Sequence, residues 1–92
     1  MKYALVVEGD IEKHMLEYAF NPFLGRLIIK VNDITLKTRT RLLNEPANEV
    51  HDLALGENEK ISVRIEKERK FFLGQKNRVF VNDRLVKTCV GI

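Results

Sequence analysis

A chain of 92 residues, 45% hydrophobic and 32% charged, has the composition of one small globular domain, which excludes an intrinsically disordered protein. Its formal net charge of +3 is mildly basic, so an anionic partner is permitted but not required. The single cysteine, Cys89, excludes an internal disulfide and favours a reducing compartment.

The first predicted element is a strand over residues 2–7, which are rich in aromatic and β-branched side chains and end at Gly9-Asp10. Its apolar run is too short for a signal-peptide core or for a membrane span. We therefore expect residues 1–92 to form a single cytoplasmic domain that does not insert into a membrane.

Residues 11–20 fit two structures. Asp10 is a suitable N-cap, and apolar residues from Ile11 to Ala19 recur at helical spacing. The alternation from His14 to Phe20 fits a strand equally well. We favour the strand, because Asn21-Pro22 supplies a turn directly after it and the residues downstream are predicted to be β.

A repeated pattern predicts two β-hairpins. Val-Asn-Asp, three residues and Lys-Thr occur in that order at 31–38 and again at 81–88, each copy preceded by Phe-Leu-Gly. Asn and Asp tolerate the positive φ that a two-residue type I′ turn requires at both central positions. Hairpins are therefore predicted over 26–39 and 77–88, and the predicted cross-strand pairs are Val31 with Ile34, Ile29 with Leu36, Val81 with Arg84, and Val79 with Val86.

The remaining strands are short. The first hairpin's return strand is expected to reach Leu43, and strands follow over 50–55 and 61–65 before a charged loop or strand end at 66–70. Seven or eight strands at about ten-residue spacing predict an all-β fold, a small antiparallel β-sandwich or partly open barrel. The predicted core consists of Leu5, Val7, Leu16, Ile29, Val31, Leu36, Leu53, Ile61, Val63, Ile65 and Val79.

The order of these features resembles a known family. In chain order they are His-x-Leu-Glu at 14–17, a loop ending in Gly25, the Val-Asn-Asp turn, a charged return strand, the segment 50–65 and a second hairpin. This order resembles that of the domain of the Fas apoptotic inhibitory molecule. The resemblance covers about 14–90 and implies a compact antiparallel β-sandwich with a role in protein–protein interaction and no catalytic residues. The family's turns contain glycine where this chain has Asp33 and Asp83.

Few side chains point to chemistry. His14 and His51 are potential metal ligands together with Glu17 or Asp52, but two histidines without a ligand-spacing motif are more typical of structural or surface positions. No base is indicated beside Cys89, which is expected to be a structural thiol. We therefore expect a protein that is not an enzyme and that has no cofactor or metal.

A group of cations is the strongest candidate site. Lys37, Arg39 and Arg41 alternate along one predicted strand and therefore share a face. In the predicted register, Arg26 and Lys30 lie on that face too. These five residues, the basic stripe, form a candidate anion-binding surface. The alternative is a solvated strand whose cations protect an edge against aggregation.

Two functions remain open from the sequence. The favoured one is a protein-interaction or structural module without catalysis, acting on an unidentified protein or as a homodimer. The other is a binder of an anionic ligand, nucleic acid or acidic lipid surface through the basic stripe. Binding through the stripe is expected to weaken steeply with ionic strength, whereas binding through an apolar surface is not.

Overall fold

The computed structural model describes residues 1–41, 46–70 and 74–91, and all regular secondary structure in these ranges is β. The predicted all-β fold is confirmed, and the sheets remain open rather than closing into a barrel. The eight strands are β1 (Lys2–Glu8), β2 (Lys13–Asn21), β3 (Arg26–Val31), β4 (Ile34–Thr40), β5 (Asn48–Leu55), β6 (Ile61–Arg69), β7 (Gln75–Val81) and β8 (Arg84–Gly91).

The strands form two antiparallel meanders that pack face to face. The first sheet has the order β1-β2-β3-β4 and the second has the order β5-β6-β7-β8. Alternate residues of each strand point inward, so a single core lies between the sheets. The buried apolar residues are Val7, Leu16, Tyr18, Phe20, Leu27, Ile29, Val31, Leu55, Ile61, Val63, Ile65 and Val79.

Both predicted hairpins are confirmed, and the strand favoured for residues 11–20 is β2, which begins at Lys13. Asn32 and Asp33 have φ values of 53° and 65°, and Asn82 and Asp83 have 49° and 65°. These positive values suit a type I′ turn, whose twist matches that of the two flanking strands. The repeat extends beyond the hairpins, because each half of the chain folds as the same four-stranded meander.

Each turn asparagine also ties its hairpin to the neighbouring strand. The backbone N–H of Asn32 donates to the Met15 carbonyl at 2.9 Å, and the Asn32 side-chain oxygen accepts from the Met15 N–H at 2.9 Å. Asn82 makes the same two contacts with Ser62, at 2.8 and 2.9 Å. The side chain thus extends the hydrogen-bond ladder by one step, which explains why both turns carry asparagine first.

The predicted register is wrong beyond the first cross-strand pairs of each hairpin. Val31 faces Ile34 as predicted, but Leu36 has no Cα partner and Ile29 faces Lys37. The second hairpin shifts at the equivalent step, so that Val79 faces Lys87 instead of Val86. A β-bulge inserts one residue on the return strand, and every side chain beyond it moves to the opposite face.

The bulge also accounts for one error in the predicted core. Leu36 lies at the bulge and is 49% exposed, so it does not belong to the core. Leu5 and Leu53 are partly buried against the core, and the other predicted members are buried. Of the two alternatives predicted for 66–70, the structure shows the strand end, because β6 continues to Arg69. The predictions for 42–45 and 71–73 lie outside the described residues.

Hydrogen bonds between polar side chains join the sheets inside the core. The Tyr18 hydroxyl on the first sheet donates to Gln75 Oε1 on the second at 2.9 Å. Asn77 Nδ2 donates to the same oxygen at 2.7 Å. All three side chains are buried, and the Tyr18–Gln75 bond favours one arrangement of the sheets because breaking it would leave an unpaired donor and acceptor in the core.

Two turns hold each other across the sandwich. The sequence Gly-x-x-Glu-Lys precedes or begins the second strand of each sheet, at 9–13 and at 56–60. Glu59 accepts from the backbone N–H groups of Asp10 at 2.7 Å, Ile11 at 3.0 Å and Glu12 at 3.2 Å. We call this reciprocal arrangement the glutamate clasp.

The other half of the clasp comes from the first sheet. Glu12 accepts from the backbone N–H groups of Glu57 at 3.1 Å and Glu59 at 3.2 Å. Gly9 leaves room for the Glu59 half of the clasp, because a Cβ at this position would clash with the Glu59 carboxylate. The glutamate clasp therefore fixes the two turns at the same end of the sandwich.

The clasp makes stability depend on pH. Hydrogen bonds from the backbone N–H groups of Ile11, Asp10 and Glu12 hold the pKa of Glu59 below its ordinary value of 4.5. Its stabilisation is therefore present above that value and is lost as the pH falls through the lowered pKa of the folded state. We expect Glu59→Gln to flatten the decline of unfolding free energy in denaturant titrations between about pH 5 and pH 3. Glu57→Gln is the matched control, and equal slopes for both variants would contradict the assignment.

Candidate functional site

The structure separates the five residues of the basic stripe. Arg26 and Lys30 lie on the outer face of the first sheet, opposite Thr40 and Thr35. On β4, the bulge shifts the pairing of Lys37 and Arg39 with β3 by one residue. Lys37 therefore pairs with the inward-facing Ile29. The prediction that all five share one exposed face is therefore wrong.

Lys37 and Arg39 instead join β4 of the first sheet to β5 of the second. Lys37 Nζ lies 2.7 Å from His51 Nδ1, and Arg39 forms an ion pair with Glu49. Glu49 also lies 3.2 Å from His51 Nε2. A charged Lys37 donates to Nδ1, which places the imidazole proton on Nε2, facing Glu49. Arg41, beyond β4, is exposed and donates its backbone N–H to Gly25 O at 2.9 Å.

The side chains of this cluster are largely buried, which is typical of a contact that stabilises the fold. His51 is buried, and the Arg39 and Glu49 side chains are each only 15% exposed. Partial burial, followed by the charges of Arg39 and Arg41, lowers the pKa of Lys37 from its ordinary value. The described side chains of the cluster form a charged bridge between two sheet edges.

His14 and Cys89 are the other candidates from the sequence for reactive or metal-binding side chains. His14 Nδ1 accepts from Asn32 Nδ2 at 2.9 Å, at the turn of the first hairpin. Cys89 is a free, half-buried thiol on β8. Within 1–41, 46–70 and 74–91, no group of three His, Cys, Asp or Glu side chains is placed to hold a metal ion.

The outer face of the second sheet is a network of paired charges. Arg64 lies 3.5 Å from both Asp52 and Glu66, and its guanidinium lies 5.9 Å from the centre of the Phe80 ring. Glu68 contacts Lys70 at 3.0 Å and Arg78 at 3.6 Å. Side chains of opposite sign satisfy one another here, as is typical of a face exposed to solvent.

The outer face of the first sheet ends in an apolar loop. Asn21 Oδ1 accepts from the backbone N–H groups of Phe23 at 2.9 Å and Leu24 at 3.2 Å, which fixes the loop between β2 and β3. Phe23 is nevertheless 78% exposed and Leu24 is 52% exposed. The sequence signal for this feature is two large apolar residues between Asn-Pro and Gly, where polar turn residues are usual.

A shallow cleft of about 780 Å³ lies beside the loop. We call it the loop cleft, and its lining includes Lys2, Ala19, Arg26 and Ile28 together with Phe23 and Leu24. Ala19 and Ile28 are cross-strand neighbours on β2 and β3. The arrangement can accept an apolar group from outside, with two cations beside it.

Comparison with known proteins does not assign the chain to a family. No helix in the described ranges is long and apolar enough to cross a membrane. The resemblance to the Fas apoptotic inhibitory molecule domain stays a prediction. No protein-family model, curated protein or solved structure matches the chain.

Proposed function

We propose that this protein is a non-catalytic protein-interaction module that docks a partner on the loop cleft. The observation that carries the proposal is the fixed exposure of Phe23 and Leu24, held outward by the Asn21 side chain. Burying a side chain of this kind contributes about 1.5–3 kcal/mol. A partner that covers both residues therefore gains affinity without having to order the loop.

The surroundings of the two residues support the same role. Ala19 and Ile28 line the same shallow cleft as Phe23 and Leu24, so apolar side chains of the sheet and of the loop share one surface. Contiguous exposed apolar surface marks interaction sites more often than single exposed residues do. The outer face of the second sheet also exposes apolar side chains, but Leu85 and Val90 share their cross-strand rows with the charged Arg64 and Glu68.

The position of the cations lends less support to anion binding. Two members of the basic stripe, Lys37 and Arg39, already contact His51 and Glu49 between the sheets. Of the five residues of the basic stripe, only Arg26 and Lys30 lie on the outer face of the first sheet. A polyanion that tracks a strand needs several cations on one exposed face, and the hairpin does not present them in that way.

The test is recovery of partner proteins from cells of the native host by proximity labelling. We expect Phe23→Ser/Leu24→Ser to lose the proteins labelled by the wild type, because the apolar contact is removed. Ile34→Ser is the matched control, since Ile34 is 64% exposed on β4, away from the loop cleft. Unfolding free energies should differ little among the variants, as is usual for surface substitutions. Identical labelling by all three proteins would contradict the proposal.

A further inference from the structure

We propose that the segment bound in the loop cleft is an acidic apolar peptide, one in which an aliphatic or aromatic side chain is flanked by Asp or Glu. This inference rests on the proposed function, because it names the chemistry of the partner at the same site. It is carried by the arrangement of the two cations around the apolar floor.

The strand register places these cations on both sides of the floor. Lys2 on β1 pairs with Ala19, and Ala19 pairs with Ile28 on the next strand. Arg26 lies on β3, two residues before Ile28 on the same face, and pairs with Asn21 at the end of β2. An apolar side chain resting on Ala19 and Ile28 would thus have a cation on each flank.

Neither cation is neutralised locally. Both Lys2 and Arg26 are exposed, and neither forms an ion pair with a described residue. The lining of the loop cleft contains no acidic residue. Glu17 shares the outer face, but it lies in a different cross-strand row, paired with Ala4 and Lys30. The potential over the loop cleft is therefore positive, which favours carboxylates at its rim.

The size and charge of the site favour a peptide over a lipid surface. Ala19 and Ile28 line one open, shallow cleft together with Phe23 and Leu24, an area that one apolar side chain and its neighbours can cover. One loop and two cations also give a weak anchor, since each cation contributes about 1 kcal/mol near an anionic membrane.

Selection from a library of random peptides displayed on phage tests the proposal. We expect the wild-type domain to select peptides in which Asp or Glu flanks a large apolar residue. Lys2→Glu/Arg26→Glu should bind a selected synthetic peptide about tenfold more weakly, because two rim ion pairs become repulsive. Lys60→Glu/Arg84→Glu is the matched control, since it changes the net charge equally at the turns of the opposite end.

The outcomes separate this inference from the function on which it rests. Selected peptides without acidic enrichment that still require Phe23 and Leu24 would overturn the peptide chemistry and leave the docking site standing. Peptides that bind equally well to Phe23→Ser/Leu24→Ser would overturn both. A failure to select any peptide, with binding to phosphatidylserine vesicles instead, would also overturn the inference. Rescue of Lys2→Glu/Arg26→Glu by a peptide with lysine in place of its acids would support it directly.

Discussion

Replacing Ile65 by alanine is expected to lower the free energy of unfolding by about 2–5 kcal/mol, the usual range for truncating a buried isoleucine. Ile65 is fully buried at the centre of β6, between His51 on β5 and Val79 on β7. A domain of this size is stabilised by only about 5–15 kcal/mol, so the variant should lose a substantial fraction of its stability. Denaturant titration followed by circular dichroism measures the change.

Ile34→Ala is the matched control for this prediction. The same atoms are removed, but Ile34 lies beside the first hairpin turn and is mostly exposed. Its cost is expected to stay within about 0.5 kcal/mol, as for surface substitutions. Similar costs for both variants would show that β6 does not face the core.

Removing one member of the Arg39–Glu49 ion pair is expected to cost about 2–3 kcal/mol, because the remaining charge keeps its partial burial without its partner. Both side chains are largely covered between β4 and β5. The effect contrasts with that of an exposed pair such as Lys13–Glu8, where about 0–1 kcal/mol is expected. Thermal and denaturant unfolding of Arg39→Ala, Glu49→Ala and Lys13→Ala provide the comparison.

A double-mutant cycle isolates the interaction itself. If Arg39 and Glu49 act as a pair, the Arg39→Ala/Glu49→Ala variant should be less destabilised than the sum of the two single variants. Strictly additive effects would show that the two charges are not energetically coupled and that the ion pair does not stabilise the contact between the sheets. Glu49 also contacts His51, so Glu49→Ala is expected to be the more costly of the two single changes.

Local turn chemistry made the hairpins predictable from the sequence. The turn conformation depends mainly on the two residues in the turn and on the extended segments beside it. Asn32-Asp33 and Asn82-Asp83 both form such a two-residue turn. The bulge at Leu36 was not predictable in the same way, because no glycine or other turn residue marks it. Its origin is the pairing of two whole strands, in which one extra residue on the return strand brings Lys37 into line with Ile29.

For the candidate sites too, the sequence pattern identified residues, whereas their contacts depend on how the strands and sheets pack. Alternation along 37–41 identified cations on a common face, but which face is inward depends on the bulge and on the opposing sheet. The glutamate clasp was not predicted from the sequence, although the repeated Gly-x-x-Glu-Lys is its signal, because the two turns meet only in the folded structure. The loop cleft likewise required Ala19 and Ile28 to be brought beside Phe23 by strand pairing.

The double meander has a consequence for how the chain folds. Every strand pair joins strands that are adjacent in the sequence, from β1 with β2 to β7 with β8, so the sheet hydrogen bonds have a low contact order for an all-β protein. Loop-closure entropy is then small for each sheet and large only for the contacts between sheets, such as Tyr18 with Gln75, 57 positions apart. We therefore expect the rate-limiting barrier to lie in the docking of two partly formed meanders, with the glutamate clasp closing late.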